Sequence, residues 1–127
     1  MLNIFHSHHP IRHANSFKYA FEGLFHALLN EPNFRLQLII VFIAVFLGRH
    51  YNISHVEWGL LILSMGALLA AEMTNTVVEE LIDTLIKEYH EGAKIIKDLS
   101  AGFVLTTSFT ALAILLLIFA GRIAESL

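Results

Sequence analysis

Three long apolar stretches limit what this 127-residue chain can fold into. They cover residues 36–48, 59–71 and 99–120, and few polar side chains interrupt them. At 1.5 Å per residue, the first two give about 20 Å of helix and the third about 33 Å, against a hydrocarbon core about 30 Å thick. The hydrophobic content of 56% and the mean hydropathy of +0.65 exceed those of a typical soluble domain. The sequence therefore predicts an all-α integral membrane protein, in which flanking residues lengthen the two shorter spans.

The pattern around these stretches predicts a single domain over residues 1–127. Residues 1–10 are expected to form a mobile, histidine-rich end, followed by a surface helix over 11–30. That helix is predicted to be amphipathic because Phe17, Phe21, Leu24 and Leu28 recur at helical spacing. Membrane helices are predicted over about 33–49, 55–86 and 91–122. The helices are too few to cover much polar surface, so self-association is also expected.

The positions of the basic residues predict the orientation in the membrane. Two of the eight lie in the loop after the first span and at the end of the chain, Arg49 and Arg122, and the other six lie on the opposite side. The positive-inside tendency therefore places the amino terminus and the 83–98 connection in the cytoplasm and the carboxyl terminus outside. No basic stripe interleaved with aromatic residues is present, so nucleic-acid binding is not expected. The chain has no cysteine, which excludes disulfides and a thiol nucleophile.

A polar face begins where the second apolar stretch ends. At about 100° per residue, Glu79 and Asp83 project within roughly 20° of the direction of Glu72, and Asn75 projects about 60° to one side. An acidic run is more often a solvated helix end, but Glu72 directly adjoins apolar residues. Such a face is costly to bury without cations, and a divalent metal carrying a polyphosphate would supply them. The pattern points to phosphoryl transfer at a membrane boundary.

Phosphoryl transfer to an alcohol requires a metal scaffold and a group that receives the hydroxyl proton. Carboxylates suit magnesium, and Glu31 and Glu79 lie on the same predicted side of the membrane. Glu72 lies nearest the apolar stretch, at the depth of a lipid hydroxyl, and is the candidate base. Asn75 and Asp83 are further polar candidates.

The connection before the third span offers candidates for phosphate binding. Lys97 could clamp phosphate oxygens and Asp98 could bind a nucleotide group, with Lys94 as a further candidate, although basic residues here would equally satisfy the orientation rule. The segment Glu88-Tyr89-His90 would be an ordinary linker by itself. The amino-terminal tract contains four histidines, His6, His8, His9 and His13. Their spacing is not that of a structured metal site, and such histidines are more often incidental than metal ligands.

The residues of the polar face resemble a family signature, that of the small prokaryotic diacylglycerol kinases and undecaprenol kinases. The signature is Glu-x-aliphatic-Asn-Ser/Thr-small-aliphatic-Glu-x-x-aliphatic-Asp. It is matched here at Glu72, Asn75, Thr76, Val78, Glu79, Ile82 and Asp83, and the departures are Thr74 and Val77. Further similarity lies at Tyr19, Glu22-Gly23-Leu24, Asn30-Glu31, Phe34-Arg35, Glu88-Tyr89-His90 and Lys97-Asp98.

The resemblance implies an activity and assigns roles. It implies a homotrimer in the bacterial plasma membrane, with active sites shared between subunits, that phosphorylates undecaprenol or diacylglycerol with ATP and Mg²⁺. Glu72 would be the catalytic base, and Glu31 and Glu79 would bind the metal and the nucleotide. The other implied nucleotide-binding residues are Arg12, Tyr19, Glu88, Tyr89, His90, Lys97 and Asp98. Residues 71–73 and 97–102 look closer to the undecaprenol kinase branch.

A second hypothesis is a small oligomeric membrane protein that binds or transports cations without kinase activity. In that case the carboxylates would line a polar path across the membrane. Such a path requires polar residues throughout the spans. Gln37 and Ser64 are the polar residues of the two shorter apolar stretches, which disfavours this hypothesis.

Overall fold

The computed structural model describes the backbone of residues 10–126 and the side chains of residues 15–126. This part of the chain is built from four α-helices, which are α1 (Pro10–Asn30), α2 (Pro32–His50), α3 (His55–Leu85) and α4 (Glu91–Ser126). The predicted all-helical fold class is confirmed. Of the amino-terminal histidines, His6, His8 and His9 lie outside the described residues, as do the side chains of His13 and Arg12.

Three of the helices, α2, α3 and α4, are long and apolar enough to cross a membrane. The helices α3 and α4 have 31 and 36 residues, which correspond to about 46 Å and 54 Å, so each extends well beyond a hydrocarbon core of about 30 Å. The polar residues after residue 71 therefore belong to the same helix, α3, as the apolar residues before them. The position of α1 at the membrane surface stays a prediction.

A single residue, Glu31, separates α1 from α2. Its backbone N–H still donates to the carbonyl of Ala27 at 2.9 Å, and Pro32 occupies the first turn of α2, where its missing N–H costs nothing. The Arg35 guanidinium donates to the carbonyl of Leu29 at 2.7 Å and so satisfies one of the free carbonyls at the end of α1. The corner, and with it the backbone of Glu31, is thus held by hydrogen bonds from both helices.

The core lies around α3, which packs along α4 and against α2, whereas α1 packs against α2. Its buried residues come from the three apolar helices and the loop between α2 and α3: they are Ala44, Ile53, Leu61, Met65, Leu68, Ala111, Ile118 and Phe119. An ion pair of 2.9 Å between Arg122 and Glu57 joins the end of α4 to the start of α3. Large apolar side chains such as Phe42 and Leu117 point outward, as expected for helices surrounded by hydrocarbon.

The α2–α3 connection requires a glycine at residue 48. A Cβ at Gly48 would lie 2.8 Å from the Trp58 ring and 3.1 Å from Ile53, which is closer than van der Waals contact allows. Gly48 has only a hydrogen atom where other residues have a side chain. The end of α2 can therefore approach the start of α3 closely. Ser54 and Glu57 form a capping box at that start, which fixes where α3 begins.

We predict that Gly48→Ala lowers the free energy of unfolding by about 1–3 kcal/mol, because Trp58 must move out of its packed position. The control is Gly59→Ala in α3, where a Cβ would meet no atom within 4 Å. That control should be neutral or slightly stabilising, since alanine favours helix over glycine. Reversible unfolding in mixed detergent micelles measures both, and equal stability of the two variants would contradict the packing described for Gly48.

Candidate active site

Glu72 lies on α3 and is almost fully buried, with 2% of its surface exposed. The Gln37 amide of α2 donates to the Glu72 carboxylate from Nε2 to Oε2 at 2.8 Å. The Asn33 side chain, one turn earlier on α2, lines the same cavity as Glu72. A buried carboxylate needs a donor, and here a neighbouring helix supplies it. The hydrogen bond from Gln37 fixes the Glu72 side chain at the point where α2 and α3 meet.

Two further acids surround this point. The carboxylates of Glu31, at the α1–α2 corner, and of Glu79, two turns along α3, both lie close enough to interact electrostatically with Glu72. Both are partly exposed, whereas Glu72 is buried. The three acids to which the sequence assigned the base and metal roles therefore lie in the same region of the protein, although they are not grouped around a single point.

Asn75 connects this acidic group to α4. Its amide nitrogen donates to Glu79 Oε1 at 3.0 Å, and its carbonyl oxygen accepts a hydrogen bond from the hydroxyl of Ser100. Asn75 is itself buried. The Glu79 carboxylate is therefore oriented by a chain of two hydrogen bonds that ends on the next helix.

The carboxylate oxygens of Glu31 and Glu79 suit a hard divalent cation such as magnesium, which takes oxygen ligands. Within residues 15–126, no three acidic or histidine side chains are grouped so that they could hold a metal ion. Magnesium is commonly held by one or two carboxylates and completes its coordination with water and substrate phosphates. Glu31 and Glu79 suit that mode of binding, in which the nucleotide brings part of the coordination shell.

A second polar cluster joins α3 to the start of α4. The Lys97 ammonium pairs with Asp83 at 2.9 Å, and Lys94 pairs with Asp98 at 2.6 Å. The neighbours Lys97 and Asp98 therefore have different partners, and their predicted contacts with a nucleotide stay predictions. Asp83 gains a defined partner, since Lys97 contacts both of its carboxylate oxygens.

A cavity of about 340 Å³ opens at this second cluster. The predicted nucleotide-binding segment Glu88-Tyr89-His90 contributes to its wall. The His90 ring accepts a hydrogen bond from the Ala93 backbone and so caps α4 as well. The remaining lining residues are Ile82, Asp83, Ile86, Ala93, Lys94, Lys97 and Asp98. We call this space the connection cavity.

Among the predicted nucleotide-binding residues whose side chains are described, Tyr19, Glu31 and Glu79 do not line the connection cavity. Tyr19 lies on α1 with an exposed side chain and does not line the cavity. The side chain of Arg12 lies outside the described residues. Their predicted contacts with a nucleotide stay predictions.

A further cavity of about 300 Å³ lies directly beside Glu72, between α2, α3 and α4. Its polar walls are Asn33, Gln37, Glu72 and Ser108, and the rest of its lining is apolar. A buried carboxylate thus faces a space with mostly hydrocarbon walls. This arrangement suits a substrate with a small polar group on an apolar body.

The sequence of this chain is similar to those of known proteins. Residues 18–119 match the family described as "Prokaryotic diacylglycerol kinase". This chain belongs to the prokaryotic diacylglycerol kinase family. It is 30% identical to the undecaprenol kinase of Bacillus subtilis over 108 residues, which are 85% of this chain and 88% of the relative. It is also 30% identical to the diacylglycerol kinase of Escherichia coli (strain K12) over 93 residues, or 73% and 76% of the two chains.

As a member of the prokaryotic diacylglycerol kinase family, the chain is a lipid kinase, which confirms the family predicted from residues 72–83. Three residues around the acidic group were not among the predicted site residues. Gln37 donates to Glu72, Ser100 donates to Asn75, and Asn33 lines the cavity beside Glu72. Gln37 carried a signal, since it interrupts an otherwise apolar stretch. Asn33 and Ser100 carried none, because small polar residues near a helix start are common.

We predict that Ser100→Ala lowers the lipid kinase activity of this family member severalfold, because Asn75 loses the hydrogen bond that orients it toward Glu79. Thr106→Ala serves as the control, since the Thr106 hydroxyl donates only to the Gly102 carbonyl of its own helix. Initial rates at limiting magnesium compare the two variants. Equal rates would show that the Asn75–Ser100 hydrogen bond does not support the site.

Proposed function

We propose that this protein phosphorylates a membrane lipid alcohol, undecaprenol or diacylglycerol, by direct transfer of the γ-phosphoryl group of ATP at the cytoplasmic membrane face. The observation that carries the proposal is the position of Glu72. Its carboxylate is buried against a mostly apolar cavity, and two partly exposed carboxylates lie close by. A lipid hydroxyl and a metal-bound phosphate can meet at such a boundary.

Glu72 acts on the acceptor. Its carboxylate receives the proton of the lipid hydroxyl while the hydroxyl oxygen forms a bond to the γ-phosphorus. The bond from that phosphorus to the bridging oxygen breaks, and ADP leaves with the electron pair. The hydrogen bond from Gln37 keeps the carboxylate in place for this step.

Glu31 and Glu79 hold the metal end of the nucleotide. A magnesium ion held by these two carboxylates would supply positive charge to neutralise the charge that develops on the phosphate during transfer. Asn75 fixes the Glu79 carboxylate by its hydrogen bond of 3.0 Å. Glu79 lies seven residues after Glu72 on α3, so the two carboxylates are about 10 Å apart along the helix axis.

The connection cavity binds the rest of the nucleotide. Lys97 contacts phosphate oxygens from its position at the wall of this cavity, where it pairs with Asp83 at 2.9 Å. Tyr89 is exposed and offers a ring on which a base can stack. Arg12 and Tyr19 are assigned to the nucleotide by resemblance to the family.

The orientation and the oligomeric state belong to the same proposal. The positive-inside tendency supports a cytoplasmic site, where ATP and magnesium are available, because most of the basic residues lie in the segments that carry Glu31, Glu79 and the connection cavity. The family resemblance supports a homotrimer with shared active sites. Gly66, Ala67 and Ala70 on α3 are exposed and small, which suits close contact between helices of different subunits.

The direct test of this function is a phosphorylation assay. Purified protein is incubated with magnesium, labelled ATP and either undecaprenol or diacylglycerol in detergent or lipid. Transfer of label to at least one lipid supports the proposal. Absence of labelled lipid from folded protein with both alcohols would contradict it.

We predict that Glu72→Gln lowers kcat by about a hundredfold or more, because an amide cannot receive the hydroxyl proton. Binding of ATP with magnesium should be retained, since Glu72 does not hold the metal in this account. Glu80→Gln, which changes an exposed acid on the same helix, is the control and should remain active. Turnover of Glu72→Gln near the level of that control would remove Glu72 from the role of base.

We predict that Glu79→Gln weakens binding of the metal–nucleotide complex, raising the magnesium concentration required for half-maximal ATP binding by roughly tenfold. The amide keeps the size of the side chain and its bond to Asn75 but loses the charge. Titration of ATP binding against magnesium measures the effect, again beside Glu80→Gln. An unchanged magnesium requirement would assign the metal to other residues.

A further inference from the structure

Two carboxylates on α3 lie next to one lysine of α4. Glu79 and Asp83 are four residues apart, so their side chains lie one turn apart on the same face of α3. The Lys97 ammonium contacts both carboxylate oxygens of Asp83, at 2.9 Å and 3.0 Å. Lys97 is also close enough to Glu79 to interact with it electrostatically. One ammonium group therefore has two neighbouring carboxylates with which it could pair.

In the structure, Lys97 pairs with only one of the two. Among the ion pairs of the described residues, Lys97 is joined to Asp83 and not to Glu79. The Glu79 carboxylate instead accepts a hydrogen bond of 3.0 Å from a neutral group, the Asn75 amide. Glu79 is thus oriented by a side chain that does not neutralise its charge.

The charge of Glu79 matters because Glu79 binds magnesium in the proposed function. An ammonium group paired with that carboxylate would repel a divalent cation and would occupy oxygen atoms that the cation needs as ligands. Lysine has a flexible four-carbon stem, and Glu79 is the other acid with which Lys97 interacts electrostatically. A Lys97 ammonium without Asp83 would therefore turn to Glu79.

The other lysines near this point leave the Asp83 carboxylate to Lys97. The Lys87 ammonium donates to the backbone carbonyl of Asp83 at 2.7 Å and not to its carboxylate. Lys94 pairs with Asp98 of its own helix at 2.6 Å. Removal of Lys87 would thus take away a positive charge beside Asp83 without removing the partner of its carboxylate.

We propose that Asp83 is a positioning residue that holds the Lys97 ammonium away from Glu79, so that the Glu79 carboxylate stays free to bind the metal. This inference rests on the proposed function, in which Glu79 is a metal ligand. Asp83 acts through Lys97 and touches neither the metal nor the phosphates. The same ion pair holds Lys97 at the wall of the connection cavity. A cation of the chain therefore occupies Asp83, and Glu79 is left to a cation from solution.

The first test measures how much magnesium Asp83→Asn requires to bind ATP. Asparagine keeps the size of the side chain and removes the charge that holds Lys97. The magnesium concentration for half-maximal ATP binding should rise by about two- to fivefold, as expected when an exposed ion pair forms at Glu79. Each variant is supplied with ATP at its own Kd under saturating magnesium, so that altered nucleotide affinity is not mistaken for altered metal binding. An unchanged magnesium requirement would overturn the inference.

The second test removes Lys97 from the same variant. If Lys97 at Glu79 causes the raised magnesium requirement, Asp83→Asn combined with Lys97→Met should require no more magnesium than Lys97→Met alone. The matched control combines Asp83→Asn with Lys87→Met and should keep the raised requirement. A requirement that stays raised without Lys97 would show that Asp83 acts on the fold or on the metal directly, which would overturn the inference.

Two further variants separate this inference from the function on which it rests. Asp83→Glu keeps the charge and should retain a magnesium requirement near that of the wild type, and a requirement as high as that of Asp83→Asn would count against the inference. Glu79→Gln tests the metal ligand itself. If Glu79→Gln raises the magnesium requirement and Asp83→Asn does not, the metal ligand stands and the inference fails. If Glu79→Gln has no effect, the metal role of Glu79 in the proposed function fails, and the inference fails with it.

Discussion

The hydrogen bond between Gln37 and Glu72 is the contact on which the rest of this site depends. It is a polar contact buried between α2 and α3, in a region where most neighbouring side chains are apolar. Removing a buried partner leaves an unsatisfied polar group, so such contacts fix the relative position of the helices that carry them. Around it, the packing of α3 against α2 and α4 keeps Glu72 away from bulk water. The reactivity proposed for Glu72 follows from that environment.

Three acids follow one another along one face of α3, and a different contact holds each. Gln37 of α2 holds Glu72, Asn75 holds Glu79, and Lys97 of α4 holds Asp83. The order along the helix matches the order that transfer from a soluble nucleotide to a lipid requires. In the proposed reaction, the acceptor meets the buried end, the metal and phosphates bind in the middle, and the rest of the nucleotide occupies the connection cavity. One helix can therefore organise the reaction, provided that its neighbours orient its side chains.

Much of the fold could be predicted from the sequence because apolar stretches and helical periodicity are local properties. They indicated the three apolar helices and the shared face of Glu72, Glu79 and Asp83, and the motif on that face indicated the family. The contacts of these residues could not be predicted, because they depend on how α2 and α4 pack against α3. Ser100, for example, reaches Asn75 only through the crossing of α3 and α4. The pairing of Lys97 with Asp83, fourteen residues away, has the same origin.

In the proposed reaction, the lipid hydroxyl is activated at Glu72, beside Gln37. The most direct measurement is an experimental structure of the protein in lipid with magnesium, a non-hydrolysable ATP analogue and a bound lipid alcohol. The account predicts the hydroxyl oxygen about 3 Å from the Glu72 carboxylate, and the γ-phosphate of the analogue next to it. A lipid hydroxyl bound at the connection cavity, or a γ-phosphate far from Glu72, would contradict the account.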